Sequence, residues 1–413
     1  MALKIKQSRT IVLPIEEKEY DKFINDLETA HKTVKKLYEG NPTLFPIEMS
    51  EGYMFNGKAE TSKKTGLQLR KIKINGLSYR IRPSFILSYG RLASQEVSNA
   101  LFLKRFGVPF WALALVYGKY PMWWYRLYIS LGYDSIVGTT IHNPENIPKD
   151  LLADEHHIKI RGRKGYVATT VGKDCFLGME VCDKADEESL VEAYSVFKAE
   201  AHALNPDYQP DTVNTDGWTA TQNAWKVLYP MILVIECFLH AFIKVRDRAT
   251  KTMQEYFNTA GDKIWDCYRA NSKRQLGQQI RRLREWTIKN VPACPMKDNI
   301  LKLCKKKNKW LAHFDAASAH KTSNMIDRKM RAMNRHAYNS QMFHANVEST
   351  TKNFRAFALL HNFSPSCIAA WDETATLTSP AERLNGFSYH ENWLQNLQIA
   401  AAVGNLRIHP IPL

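Results

Sequence analysis

The sequence predicts an α/β fold built around a mixed β-sheet. Strand-like runs with a period of two and helix-like runs alternate through the middle of the chain, and their order is distinctive. Three strand-like runs separated by glycine-containing turns come first, at 151–158, 166–171 and 175–181. They are followed by a helix at 187–204, a strand at 211–216, a helix at 219–228 and a buried strand at 231–235. The first three strands imply an antiparallel meander, to which the later two strands are added.

This element order is that of the ribonuclease H-like fold, in which the strands lie in the order 32145. We therefore predict a catalytic domain of that fold, whose first part covers 146–243 and whose final helix and C-terminal helices cover 319–413. The linker into this domain contains Pro144 and Pro148. An all-helical insertion is predicted at 244–318, because the periodicity there is helical throughout.

The charge of the chain indicates a polyanionic partner. The 413 residues suffice for two or three domains, and 57 Lys and Arg against 41 Asp and Glu give a net charge of +16 and a pI near 9.4. Nucleic acid is the first candidate and an anionic membrane surface the second. The most apolar runs, such as 108–117 and 230–242, are too short to span a bilayer, so we expect no membrane partner.

The cysteines and the N-terminus favour an intracellular, cytoplasmic protein. Seven cysteines without a Cys-x-x-Cys pair suit a reducing compartment better than a disulfide framework. The first residues lack the long apolar segment of a secretory signal.

A basic DNA-recognition region is predicted at 58–145, after an N-terminal helical segment at 1–57. Between Thr61 and Gln95 the sequence contains no acidic residue, and Asn75-Gly76 is the preferred type I′ turn of a β-hairpin. The basic residues expected to contact DNA from this hairpin are Arg70, Lys71, Lys73, Arg80 and Arg82. The alternative is that they only keep an edge strand soluble.

Three short helices, predicted at 94–106, 111–118 and 122–131, follow the hairpin. Two of them joined by a tight glycine-containing turn are typical of a helix-turn-helix. Lys119 and Arg126 are then expected to contact DNA. The alternative is that the aromatic residues of these helices form the core of a small helical subdomain.

Most of the excess charge lies in the helical insertion. From Lys244 to Trp310 there are 18 Lys and Arg against six Asp and Glu, a net charge of +12. A helical segment this unbalanced repels itself unless phosphates lie nearby. The residues expected to contact DNA here are Arg281, Arg282, Lys305, Lys306 and Lys307.

Two aspartates fall on neighbouring strands of the predicted sheet. Asp154 lies on its first strand and Asp216 ends its fourth. Adjacent carboxylates resist joint ionisation unless a cation compensates them, and Mg²⁺ prefers such hard oxygen ligands. Glu155 is the alternative to Asp154, but it should point to the opposite face of the strand.

Four motifs in order resemble those of Mutator-like and related bacterial insertion-sequence transposases. They are Leu152-Ala-Asp-Glu-His-His, Val213-Asn-Thr-Asp-Gly-Trp218, Glu236-Cys-Phe-Leu-His240 and the segment Ala319–Met330, which is similar to the Thr-Asn-x-x-Glu of the final catalytic helix. Ser379–His390 also resembles this group. The resemblance implies a DDE/DDD-type transposase that cleaves transposon-end DNA and joins the 3′ end to a target. Asp327 takes the third acidic place, although the common pattern has Glu.

From the resemblance we expect Asp154, Asp216 and Asp327 to bind two Mg²⁺ ions, for which Mn²⁺ could substitute. Double-stranded DNA would be the partner, bound by a homodimer or larger assembly. Glu382, and after it Glu348, are alternatives for the third acid, although Glu382 also suits a helix N-terminus. Cys237 and His240 could form part of a zinc site, but packing or a local hydrogen bond is the commoner use of such a pair.

The sequence leaves two other functions open. One is a ribonuclease H-like nuclease that hydrolyses DNA without joining it. The other is a non-catalytic DNA-binding protein derived from a transposase. His156 and His157 beside the first acid, and Trp218 beside the second, are further residues that could orient DNA or stack on a base.

Overall fold

The structure is a computed structural model that describes residues 4–7, 9–62, 66–87, 94–316, 318–320, 322–340, 343, 346–366, 378–404 and 406–409. Over these residues the chain is a mixed α/β protein with a five-stranded and a four-stranded mixed sheet, a two-stranded sheet and many helices. None of the helices in the described ranges is both long enough and apolar enough to cross a membrane.

The N-terminal part forms the four-stranded sheet and two helices that cover one of its faces. Its elements are β1 (Lys4–Gln7), β2 (Thr10–Leu13), α1 (Glu17–Asn25), α2 (Leu27–Gly40), β3 (Tyr53–Lys58), β4 (Arg70–Ile74) and β5 (Leu77–Pro83). The strand order is β2-β5-β4-β3, with β2 parallel to β5. Phe23 and Val34 from the helices pack against Ile72 and Ile81 from the sheet. The predicted segments 1–57 and 58–145 therefore share one core at this point.

Local sequence explains two details of this part. The pattern from Pro14 to Tyr38 predicts one helix, but the structure has two, because Asp26 adopts an extended conformation and its carboxylate caps α2 by accepting from the Glu28 and Thr29 amides. The predicted hairpin turn is present: Asn75 and Gly76 both have positive φ, at 42° and 76°, between the antiparallel β4 and β5.

Four helices connect this part to the central sheet. They are α3 (Ser94–Arg105), α4 (Phe110–Tyr117), α5 (Pro121–Leu131) and α6 (Ile136–Thr140). Trp124 and Tyr128 of α5 are completely buried, so for these two rings the structure agrees with the core alternative. Trp111 and Tyr120, in contrast, are largely exposed.

The central sheet has the predicted strand order. Its elements are β6 (Asp150–Ile160), β7 (Arg163–Gly172), β8 (Cys175–Cys182), α7 (Glu187–Leu204), β9 (Thr212–Thr215), α8 (Thr219–Leu228) and β10 (Leu233–Glu236). The order β10-β9-β6-β7-β8 is 32145 read from the opposite edge. The first three strands are antiparallel, whereas β9 and β10 run parallel to β6. Side chains alternate between the two faces, so Leu151 and Ala153 pack on α7 and α8, whereas Leu152 packs on the other side.

The insertion is helical and has a core of its own. It contains α9 (Phe238–Arg246), α10 (Gln254–Tyr268), α11 (Lys273–Asn290), α12 (Pro295–Lys305) and α13 (Lys307–Leu311). Ile264, Ile280, Leu283 and Ile300 are buried in this core together with Trp310. Because the apolar side chains face one another, the lysines and arginines of these helices are directed to the outside.

The last part of the chain covers the second face of the central sheet. It contains α14 (Asn324–Asn339), α15 (Val347–Phe363), α16 (Pro380–Asn385), α17 (Trp393–Val403) and β11 (Leu406–His409), which pairs antiparallel with β1. The helices α14 and α15 pack on the face that carries Leu152 and Phe176. Helical periodicity in the sequence predicts a long helix from Ser323 to about His336 and a C-terminal helix at 393–402, and both are present.

Candidate active site

The pairing of β6 with β9 brings Asp154 and Asp216 to adjacent positions. In this parallel pair Asp150 lies beside Thr212 and Leu152 beside Asn214. Asp154 and Asp216 are each two residues further along, Asp154 within β6 and Asp216 immediately after β9 ends. The same edge of the sheet therefore carries both carboxylates, as the sequence predicts for these two residues.

Backbone amides orient the two carboxylates. The amide of Glu155 donates to Asp154 Oδ1 at 2.9 Å, and the amide of Trp218 donates to Asp216 Oδ1 at 2.9 Å. The turn after Asp216 depends on Gly217, whose φ is 92° and whose missing Cβ would lie 2.5 Å from Glu236 Oε1. A side chain at that position would be both strained and obstructed.

The charges of Asp216 and Asp327 both act on the carboxyl of Asp154. Burial and, next in size, the negative charge of Asp216 raise the pKa of Asp154 to about 7. The charge of Asp327 acts in the same direction, whereas the positive charge of His240 opposes it. Asp154, Asp216, Asp327 and His240 therefore share one electrostatic neighbourhood. A divalent cation would compensate the repulsion that three carboxylates exert there.

Asp327 occupies the first turn of α14, which packs against the central sheet. Ile326, Met330 and Met333 on one side of this helix are buried in the same core as Ile158 of β6. The Ser323 hydroxyl, at the start of the helix, donates to Asp327 Oδ2 at 3.1 Å. Packing fixes the helix, and this hydrogen bond fixes the rotamer of the acid.

The Cys-x-x-His motif contacts the start of α14. Cys237 Sγ accepts from the Ser323 amide at 3.2 Å and lies 3.1 Å from the Ser323 hydroxyl, which is also 3.3 Å from His240 Nδ1. Cys237 raises the pKa of His240 to about 9 through a hydrogen bond, and the charges of Asp327 and Asp154 contribute. Burial alone would raise the pKa of the Cys237 thiol, but hydrogen bonds from His240 and Ser323 lower it. These contacts agree with the local hydrogen bond foreseen as the alternative to zinc.

Glu155 belongs to the opposite face of the sheet, as its position next to Asp154 predicts. Its carboxylate accepts from Tyr194 Oη at 2.5 Å and from Thr221 Oγ1 at 2.9 Å. Burial raises the pKa of Glu155 to about 7. This carboxylate ties α7 and α8 to β6 and does not face Asp327.

The two alternative third acids have other partners. Glu382 forms a capping box with Ser379 at the start of α16, where its side chain accepts from the Ser379 amide at 3.2 Å. Glu348 forms an i,i+4 ion pair with Lys352 on α15 at 2.5 Å. Of the three candidates, Asp327 is the one whose charge acts on Asp154.

Glu236 begins one of the motifs quoted above, although no role was predicted for it, and it is a fourth carboxylate at this edge. It ends β10 beside Thr215, its side chain is only 2% exposed, and it forms ion pairs with Lys306 and, at 3.3 Å, with Lys309. Lys309 also donates to the Gln222 side chain at 3.1 Å. The position of Glu236 at the end of a predicted strand was a usable indication, but its lysine partners lie some 70 residues later. The insertion is thus joined to this edge of the sheet by ion pairs between a buried glutamate and two partly exposed lysines.

The predicted DNA contacts fall into three groups. Those with well-exposed side chains are Lys73, Arg80, Lys119, Arg126, Arg281, Arg282, Lys305 and Lys307. The second group is half-buried: Lys71 and Arg82 lie on the same face of the N-terminal sheet, and Lys306 forms an ion pair with Glu236. Arg70 corrects the prediction, because it is 5% exposed and its Nε donates to the Phe23 carbonyl at 2.5 Å. Its guanidinium stabilises the N-terminal core and is not available to a phosphate.

The donor chemistry of the candidate site suits a hard divalent cation, since carboxylate oxygens are what Mg²⁺ and Mn²⁺ bind. The described residues contain no group of three or more His, Cys, Asp and Glu side chains arranged so that it could hold a metal ion. The acids therefore share a neighbourhood without forming a closed ligand set. A scan against models of known protein families gives no match for this chain, and neither does a search of curated proteins.

Proposed function

We propose that this chain is a DDE/DDD-type transposase with a ribonuclease H-like catalytic domain. The observation that carries the proposal is the register of β6 and β9, which sets Asp154 beside Asp216, with Asp327 on a helix packed against the same sheet. Strand order 32145 and a basic helical insertion between the second and third acids support it. In this proposal the protein acts on DNA in the cytoplasm, as a homodimer or larger assembly that holds two transposon ends.

Asp154, Asp216 and Asp327 would hold two Mg²⁺ ions, or Mn²⁺, which when bound activate the attacking oxygen and stabilise the leaving oxygen of a phosphodiester. The chain itself orients the acids: amides of Glu155 and Trp218 fix two of them, and Ser323 fixes the third. The same carboxylates would serve hydrolysis at a transposon end and transfer of the freed 3′ end to a target.

Duplex DNA would contact the exposed basic residues on either side of this edge. Lys73 and Arg80 lie on the face of the N-terminal sheet that α1 and α2 leave open. Lys119 and Arg126 belong to the α4–α5 pair, which we propose acts as a helix-turn-helix. Arg281, Arg282 and Lys305 lie on the insertion. Phosphates on all three surfaces would explain the net charge of +16.

The test uses purified protein, end-labelled duplexes made from the DNA on either side of the gene, a supercoiled plasmid as target, and Mg²⁺. We expect cleavage that leaves a 3′-OH, followed by joined products, and a loss of at least about a thousandfold in rate for Asp216→Asn, because a ligand to catalytic metals supplies several kcal/mol. Asp183→Asn, an exposed carboxylate away from the site, is the matched control. Cleavage without joined products would contradict the transposase and leave a nuclease.

A non-catalytic DNA-binding protein is the second candidate. The observation in its favour is that the acidic side chains do not form a closed ligand set. In that case the duplexes bind, but neither Mg²⁺ nor Mn²⁺ produces cleavage, and Asp216→Asn changes nothing.

A further inference from the structure

A groove of about 1,070 Å³ lies along β6, and its lining starts at His156, two residues beyond Asp154. One wall is the far end of the β6–β7 hairpin, which includes His157 and Lys159, three and five residues beyond Asp154 on the same strand. The opposite wall is the last part of α14, the helix whose first turn carries Asp327. The groove is therefore bounded by the same two elements that carry the first and third acids. It is larger than most small-molecule pockets, which measure about 300–1,000 Å³.

Exposed aromatic rings from α4 and α14 line this groove. Trp111 at the start of α4 is 64% exposed, and Tyr338 in the last turn of α14 is 85% exposed. A second set of rings connects the candidate active site with the groove. The ring centroids of Trp218 and Tyr166 are 6.0 Å apart, and those of Tyr166 and His157 are 5.0 Å apart. His157 itself lines the groove. Large apolar rings that remain in solvent beside a groove indicate a binding surface.

Positively charged side chains lie on both elements that bound the groove. Lys159 and Lys164 face each other across the hairpin. On α14, Arg328, Arg331 and Arg335 are exposed at helical spacing. Within the described part of the chain none of these five side chains forms an ion pair with a carboxylate, and no Asp or Glu lines the groove.

The three arginines form a stripe that runs from Asp327 to Tyr338. From Arg328 to Arg335 the helix rises about 10 Å. Positive charges along one side and exposed rings at the far end match what a nucleic-acid strand presents, a row of phosphates with bases attached.

We propose that this groove binds an unpaired strand of DNA that leads away from the active site, an inference that rests on the proposed function. The bases of a duplex stack on each other and hide their faces, so only an unpaired strand can place bases against Trp111 and Tyr338. The phosphates of that strand would lie along Arg328, Arg331 and Arg335. None of these residues was among the DNA contacts expected from the sequence.

The test measures binding by fluorescence anisotropy, with EDTA present, of a labelled oligothymidylate of roughly twelve nucleotides and a duplex of equal length. Trp111→Ala with Tyr338→Ala should weaken binding of the single strand by about tenfold or more and leave the duplex affinity within about twofold. The duplex contacts proposed for the α4–α5 pair come from Lys119 and Arg126, not from Trp111 at the start of α4. Trp111→Phe with Tyr338→Phe keeps the rings and should retain most of the affinity. Both positions are exposed, so these variants should fold, which circular dichroism checks.

The salt dependence of binding tests the arginine stripe separately. Arg331→Ala with Arg335→Ala should weaken single-strand binding and reduce the slope of log K against log salt by about 1.4, because each phosphate contact on a single strand contributes about 0.7. Lys32→Ala with Lys36→Ala removes the same charge from α2 and should leave both the affinity and the slope unchanged. The aromatic double variant should weaken binding without changing the slope.

Unchanged single-strand affinity in the aromatic variant overturns the proposal. An equal loss for single strand and duplex also overturns it, because the groove would then hold paired DNA. The assay needs neither metal nor cleavage, so its result is independent of whether the protein is a transposase: a protein that joins DNA can fail this test, and one that cleaves nothing can pass it.

Discussion

At the scale of single residues, the position of Asp154 beside another carboxylate lowers the stability of the protein at neutral pH. Its carboxyl is buried next to Asp216, and its pKa is raised from the usual 3.8 to about 7. Below pH 3.8 it is protonated in both the folded and the unfolded chain. Between pH 3.8 and 7 the unfolded chain releases this proton more readily, so the free energy of unfolding falls as the pH rises through that window.

Asp154→Asn should therefore stabilise the protein in EDTA, and by more at pH 8 than at pH 5. The expected gain at pH 8 is about 1–3 kcal/mol, since each pKa unit corresponds to about 1.4 kcal/mol and relaxation reduces the full value. Urea unfolding at both pH values measures it, with Asp183→Asn as the exposed control. A gain that is the same at both pH values would show that burial of the charge is not its cause.

Ser323 is the residue through which Asp327 is positioned. Its hydroxyl contacts Asp327 and lies next to both Cys237 and His240. Under the proposed function, in which Asp327 binds a metal ion, Ser323→Ala should lower the rate of DNA cleavage by about 10–100-fold and leave DNA affinity unchanged, as with other residues that orient a metal ligand. Ser323→Thr keeps the hydroxyl and should recover part of the rate. Equal rates for Ala, Thr and the unaltered protein would assign Ser323 to packing alone.

At the scale of elements, β10 and the insertion are joined by the ion pairs of Glu236. Lys306 and Lys309 are 37% and 48% exposed, whereas the Glu236 side chain is 2% exposed. Removing the glutamate lets both lysines return to water, but removing the lysines leaves a buried carboxylate without a counter-charge. Removing the two lysines should therefore lower the free energy of unfolding more than removing the glutamate.

Lys306→Ala with Lys309→Ala should lower the free energy of unfolding by about 3 kcal/mol, clearly more than Glu236→Gln. Chemical denaturation at pH 8 measures both variants. Lys302→Ala with Lys305→Ala removes two exposed lysines from the neighbouring helix and serves as the matched control. If both lysine pairs cost the same, the ion pairs with Glu236 contribute little to stability.

At the scale of the whole molecule, Arg355 joins three parts of the chain. From the buried helix α15 its guanidinium binds Glu180 of β8 and Glu200 of α7, each at 2.6 Å, and donates to the carbonyl oxygens of Gly132 and Asp134 before α6. Burial raises the pKa of Glu180 to about 7 even though Arg355 opposes this. The C-terminal helices are thus connected to both faces of the central sheet.

Arg355→Met should lower the free energy of unfolding by about 3–5 kcal/mol at pH 8, because two buried carboxylates lose their counter-charge. The loss should be smaller at pH 5, where protonation removes part of the uncompensated charge. Adding Glu180→Gln and Glu200→Gln should recover much of the stability. A triple variant no more stable than Arg355→Met would show that packing of the arginine, not its charge, accounts for the loss.

The amino-acid order is sufficient to predict the local features of this protein and the spatial neighbours that follow from them. Periodicity predicted the strands and helices of the central sheet, and Asn75-Gly76 predicted the hairpin turn, because both depend on residues close together in the chain. Once β6 and β9 were predicted as parallel neighbours, the positions of Asp154 and Asp216 followed. The burial of Arg70 could not be predicted in this way, because the alternation of side chains along a strand does not show which face of the sheet a helix will cover.

Contacts between residues far apart in the chain could not be predicted and became visible in the three-dimensional structure. It showed that Glu236 binds lysines some 70 residues later, that Ser323 connects Asp327 to Cys237 and His240, and that Trp111 and Tyr338 lie on one groove. Such contacts depend on the path of the backbone between the residues and on how helices pack on the sheet. Periodicity records which face of an element is apolar, but not which element that face will contact.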